Sequence, residues 1–133
     1  MAGPTATFQR SWPARPESVR DIRSAVAAFA DEHGMAPERI RDVHLAVSEA
    51  ATNAVVHAYP DAADGELSIR ACVEDGQLVV FVRDWGHGMT PRIDSPGMGL
   101  GLPVIAQLAQ SFTVTAAPDA AGGTEVCMCF ALP

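Results

Sequence analysis

The sequence predicts an α/β (α+β) fold, a two-layer sandwich in which a mixed, mostly antiparallel sheet is covered on one face by helices. Three observations carry that expectation. Two early stretches repeat apolar residues every 3.6 positions, two later stretches have the pattern of β-hairpins, and 133 residues with 48% apolar and 19% charged side chains suit one packed core. Residues 1–133 are therefore expected to form a single domain.

Ala6 to Trp12 stops before Pro13 and fits an edge strand. Pro16 suits the first turn of a helix whose apolar face is Val19, Ile22, Val26, Phe29 and Ala30, with Arg20, Arg23, Asp31 and Glu32 outside and Gly34 as its stop. A second helix is expected from Pro37 to about Tyr59, ended by Pro60. Its core stripe is Ile40, Val43, Val47, Ala51, Ala54 and Ala58. On its opposite side Glu49, Asn53 and His57 form one line, flanked by Leu45, Ala46, Ala50 and Val56 where charges would be usual. Glu66 to Val73 and Leu78 to Arg83 make a hairpin across Asp75-Gly76. A glycine-rich loop, a short helix from Leu102 to Gln110, and a second hairpin follow. That hairpin joins Phe112–Ala116 to Thr124–Leu132 across a turn at Pro118–Gly123.

Composition excludes several functions. Sixteen acidic against nine basic residues leave a net charge of -7, which disfavours non-specific contact with nucleic acid or an anionic membrane. All nine basic residues are arginine, so the lysine of a P-loop is missing. The N-terminus has no signal-like apolar run, and no stretch approaches the roughly 18 apolar residues of a membrane span. A cytoplasmic protein is expected. Of the three cysteines, Cys127 and Cys129 share a strand face and read as a metal-binding pair or, more simply, as reduced core thiols with Cys72.

Three clusters carry chemistry. Glu49 and Asn53, four apart, share a helix face where an amide oxygen can bind Mg²⁺ and a carboxylate can accept a proton. A solvated helix face is the plain alternative, and the apolar neighbours argue against it. Asp84-Trp-Gly86-His-Gly88 follows a strand, so a carboxylate emerges where glycines let the backbone turn and approach a ligand; a simple turn is the alternative. Gly97-Met-Gly99-Leu100-Gly101-Leu102 leads into a helix, where free backbone N–H groups make an anion site without lysine. The dinucleotide fingerprint would need a strand directly before these glycines, and Thr90 to Pro96 reads as loop.

Together, Glu49-Ala-Ala-Thr-Asn53-Ala-Val-Val-His57-Ala-Tyr59, the Asp84 cluster and the Gly97 cluster resemble the N box and two glycine boxes of GHKL-type ATPases. The His57-Ala-Tyr59 ending is most similar to bacterial anti-sigma factor serine kinases, and Gly122-Gly123-Thr124 resembles the superfamily's last nucleotide-contacting segment. The resemblance covers about residues 40 to 130. It implies that Asn53 coordinates Mg²⁺, that Glu49 orients or deprotonates the attacking group, and that Asp84 accepts the adenine amino group with Thr124 supporting it. It further implies that Gly86 and Gly88 shape the base site, and that Gly97, Gly99, Leu100 and Gly101 present the backbone to the phosphates.

The same resemblance implies ATP and Mg²⁺ as cofactors and a serine/threonine protein kinase activity. Its partners would be an anti-anti-sigma-type antagonist protein, a sigma factor or both, with homodimerisation open. Histidine 57 is either a packed helix-end residue or a catalytic one. A departure from the pattern lies between the glycine boxes, where Met89 to Pro96 is short, Arg92 is its one cation, and Met98 stands where related kinases often have a basic residue. The second function class is accordingly a non-catalytic, ATP-gated protein-binding module. Histidine-kinase catalytic halves and gyrase- or chaperone-like ATPases need elements or domains that 133 residues do not contain.

Overall fold

The computed structural model describes residues 6–58, 65–86, 101–116 and 123–133. Strand β1 (Ala6–Pro13) is followed by α1 (Pro16–Glu32) and α2 (Pro37–Asn53). Then come β2 (Glu66–Glu74), β3 (Gln77–Asp84), α3 (Gly101–Leu108), β4 (Ser111–Ala116) and β5 (Thr124–Ala131). The five strands lie in the order β1-β2-β3-β5-β4. All four pairings are antiparallel, so the sheet is more uniform than the mixed arrangement expected from sequence.

One face of the sheet is the core. Leu67, Ile69 and Ala71 of β2, Leu78, Val80 and Val82 of β3, and Met128 and Phe130 of β5 are buried at alternating positions, as strand geometry requires when helices cover only one side. The other face mixes polar residues with Cys72, Val79, Phe81, Cys127 and Cys129, and arginines lie over its aromatic rings, Arg70 at 4.0 Å from the Phe81 centroid and Arg83 at 4.6 Å from Trp85. Pro13 is tolerated as the last residue of an edge strand. In the Asp75-Gly76 turn both residues have positive φ, 53° and 74°, which fits the right-handed twist of the β2–β3 hairpin.

Helix α1 starts at Pro16, buries Ser18, Ile22, Val26, Phe29 and Ala30, and gives way at His33 and the positive-φ Gly34. Arg23 departs from its expected outward place. It is half-buried, and its Nε is sealed from solvent without a hydrogen-bond partner among the described residues, in a groove with Val19, Thr52 and Val56. Helix α3 ends at Leu108, short of the expected Gln110, because the Gln110 N–H donates to the Cys129 carbonyl of β5 instead of continuing the helix.

Helix α2 differs most from expectation. It ends at Asn53, and residues Ala54–Ala58 form a π-helical turn in place of a continuous α-helix to Tyr59; Tyr59 itself lies outside the described residues. The adjacent β-branched Val55 and Val56 are poor α-helix residues. Ala46 and Ala50, expected beside the polar line, are core residues at 0% and 2% exposure. The cause is tertiary: α2 packs against α1 on one side and α3 on the other, so its buried arc is wider than one stripe. Leu45 and Val56 remain exposed.

Candidate functional site

Asp84 ends β3 on the covered face of the sheet and is 5% exposed. Its Oδ1 accepts two backbone N–H groups, from Gly86 at 2.9 Å and from Thr124 at 3.3 Å. The first closes a local Asx-type turn. The second comes from the facing strand, where Asp84 and Thr124 are register partners. Burial pushes the Asp84 carboxyl above the ordinary carboxylate range, while the two N–H donors and the neighbouring Arg83 pull the other way. A buried carboxylate whose direction is fixed by backbone donors can also accept a hydrogen bond from a donor placed opposite it.

Gly86 is buried beside it. Gly123, just before β5, has φ +96°, and a Cβ there would lie 2.0 Å from the Asp84 carbonyl oxygen and 2.8 Å from Trp85 Cα. The two strand ends thus touch backbone to backbone. The sequence places Gly123 in the hairpin turn and in a segment that resembles a nucleotide-contacting one; the close approach to Asp84 depends on the pairing of β3 with β5, which neighbours along the chain do not reveal.

The second group of residues lies on α2. Glu49 is half-buried, and Asn53, the last α-helical residue, is half-buried with its Nδ2 sealed from solvent and lacking a hydrogen-bond partner among the described residues. A buried amide without a partner costs folding free energy, about 1 to 3 kcal/mol, so the group calls for a water, an ion or a ligand to satisfy it. The adjoining π-turn packs against β3, the strand that ends in Asp84, and π-turns concentrate at functional sites. Gly101 is the first residue of α3, which packs on α2. Gly88, Gly97, Gly99, Leu100, Arg92, Met98 and the segment from Met89 to Pro96 lie outside the described residues, as does most of the Pro118–Gly123 turn.

Elsewhere, burial and the neighbouring Cys129 push the Cys127 thiol up to about 11, so it is protonated at neutral pH, and burial also raises Cys72. No group of three or more His, Cys, Asp or Glu among the described residues gathers as a metal site. No helix among them is long and apolar enough to cross a membrane.

The candidate site thus combines a buried carboxylate, directed by two backbone N–H groups at the end of β3, with Glu49 and Asn53 of α2, the helix that packs over the same sheet. The chain belongs to the histidine kinase-like ATPase domain family, whose model matches residues 12–130. It is 46% identical over 74 residues to the serine-protein kinase RsbW of Bacillus subtilis, covering 56% of this chain and 46% of that protein. It is 33% identical over 126 residues to the anti-sigma F factor of Clostridium acetobutylicum, covering 86% of each. The chain spans about half the length of the Bacillus kinases it matches. A crystal structure of the RsbU and RsbW domains of a Mycobacterium tuberculosis protein superimposes with a TM-score of 0.75 over 97% of this chain and 33% of that one. At 24% identity this likeness shows the fold alone.

Proposed function

We propose that this chain is an ATP- and Mg²⁺-dependent serine/threonine protein kinase of the anti-sigma factor type. It would phosphorylate a serine on a small antagonist protein and hold a sigma factor, acting in the cytoplasm. The observation that carries the reading is the buried Asp84 carboxylate, directed by the Gly86 and Thr124 N–H groups. It supports recognition of a donor such as the adenine amino group. The kinase and anti-sigma names of the matched relatives support the rest.

The residues divide the work. Asp84 accepts from the base, with Thr124 and Gly86 fixing its direction and Gly88 bordering the base. Gly97, Gly99, Leu100 and Gly101 give backbone N–H groups to the phosphates, the last of them at the start of α3 where the helix dipole favours an anion. Asn53 fits a metal-bound site, because its Nδ2 has no hydrogen-bond partner among the described residues that fixes the amide, and an amide oxygen is a hard ligand suited to Mg²⁺. Bound there, Mg²⁺ would neutralise phosphate charge. Glu49, four residues earlier on the same helix, takes the proton from the serine hydroxyl as it attacks.

The test is transfer of label from the terminal phosphate of ATP to a serine-bearing antagonist protein. Transfer by the wild type that needs both Mg²⁺ and Glu49 supports the kinase. A wild-type protein that binds ATP and the antagonist but never labels it would overturn this reading in favour of an ATP-gated binding module.

A further inference from the structure

Gly123 sits at the first residue of the described chain before β5, and its φ of +96° is one that L side chains rarely adopt. Three glycines of the described chain have positive φ, and they differ in surroundings. At Gly34 and Gly76 an added Cβ would meet nothing within 4 Å. At Gly123 it would collide with the Asp84 carbonyl oxygen at 2.0 Å, the Asp84 carbonyl carbon at 2.8 Å and Trp85 Cα at 2.8 Å. The obstacle is backbone, which cannot swing aside as a flexible side chain could. The glycine is needed for the contact as well as for the turn.

The contact has a consequence one residue further on. The Thr124 N–H reaches Asp84 Oδ1 at 3.3 Å, already longer than the 2.9 Å bond from Gly86, so it has little slack. Any side chain at position 123 must part the ends of β3 and β5, and the Thr124 bond is the first to break. Of the two backbone donors, Gly86 alone would then remain on Oδ1.

We infer that Gly123 is a positioning residue for base selection: its missing side chain lets β5 close on β3 so that the Thr124 N–H aims the Asp84 carboxylate at the nucleotide's exocyclic amino group. This rests on the adenine-nucleotide reading and extends it from the residue that touches the base to the backbone contact that directs it. Asp84 would set which base is accepted, and Gly123 would set how sharply.

The experiment compares two nucleotides on the intact chain. Inosine triphosphate has a carbonyl where ATP has the amino group and an N1–H where ATP has a bare ring nitrogen, so the ratio of their dissociation constants reports recognition of that edge of the base. Wild type, Gly123→Ala, Thr124→Pro and the control Gly34→Ala are titrated calorimetrically with each, alongside thermal melts. Thr124→Pro removes the N–H while keeping residue 123 glycine, a proline is tolerated at the first residue of a strand, and Thr124→Val, which loses the hydroxyl but keeps the N–H, is its control. Thr124→Pro decides the question if Gly123→Ala does not fold. Wild type should prefer ATP by roughly tenfold or more. Gly123→Ala and Thr124→Pro should lose most of that preference by weakening ATP while binding inosine triphosphate as before. Gly34→Ala should melt earlier with the preference intact. A folded Gly123→Ala or Thr124→Pro protein that keeps the wild-type preference would overturn the positioning role. A wild type that binds neither nucleotide would instead overturn the adenine-nucleotide reading beneath it.

Discussion

Strand β3 has an aspartate and a glycine close together at each end, and the two ends do different things. At its start, Asp75 and Gly76 are exposed, both at positive φ, and the space around Gly76 is open. At its finish, Asp84 and Gly86 are buried, the carboxylate accepts two backbone N–H groups, and Gly123 of the neighbouring strand lies against its carbonyl. The first end needs backbone shapes that these residue types allow, and the second needs a charge to survive burial. Residue type alone does not separate a turn from a site; burial and the number of directed hydrogen bonds do.

The largest expected effect falls on the helix proposed to work with the finish of β3. Glu49→Gln keeps the shape of the side chain but cannot take a proton, so phosphoryl transfer should slow by roughly 10² to 10⁴ while ATP and partner binding survive. Stopped-time assays with labelled ATP and an antagonist protein measure this. A variant that transfers at the wild-type rate would remove Glu49 from the chemistry.

Asn53→Ala comes next. Alanine is the better helix former and the variant loses an orphaned buried amide, so the protein should melt no earlier than wild type while nucleotide binding ceases to respond to Mg²⁺. Titrations with and without the metal, set beside a melt, separate this from a structural role. A large drop in melting temperature would make Asn53 a packing residue.

At the opposite end of β3, Gly76→Ala forces a side chain into left-handed backbone and should cost about 1 to 2 kcal/mol of stability. Nucleotide affinity should not change, since nothing at that turn approaches the site. Denaturant melts and calorimetry report the two quantities separately. Altered affinity would mean that the two ends are coupled through the sheet.

The smallest effect is in pH dependence. Because burial raises the folded-state pKa of Asp84 above the ordinary value of 3.8, folding favours its protonated form. That contribution is fully present below the unfolded pKa and is lost as pH rises through the folded one. Asp84→Asn, which has no proton to lose, should therefore melt with a flatter profile from acid pH toward neutrality. The difference in slope should begin above 3.8 and vanish once the wild-type carboxyl is ionised, leaving a constant offset between the two profiles at higher pH. Melts of both proteins across that range check it.

Much of this was legible in the sequence because it depends on local chemistry. The 3.6-residue repeat of Ile22, Val26, Phe29 and Ala30, the Asp75-Gly76 turn and the alternation of Leu67, Ile69 and Ala71 each follow from neighbours along the chain. Asp84 was also visible, as a carboxylate ending an apolar strand before glycines. What sequence reasoning lost depends on distant contacts. The docking of α3 turned Ala46 and Ala50 from rim into core. The π-turn after Asn53 broke an assumed uniform helix. The contact of Gly123 with Asp84 joins residues on two strands that only the sheet order makes neighbours.

The central claim is that the finish of β3 holds adenine and its start does not. ATP titrated calorimetrically into wild type, Asp84→Asn and Asp75→Asn in the presence of Mg²⁺ tests it most directly. An amide at position 84 can present its amino group where an acceptor is needed, so Asp84→Asn should weaken ATP by about 1 to 3 kcal/mol, while Asp75→Asn, which preserves a favoured turn pair, should bind as wild type does. Equal ATP affinity in all three proteins would contradict the claim.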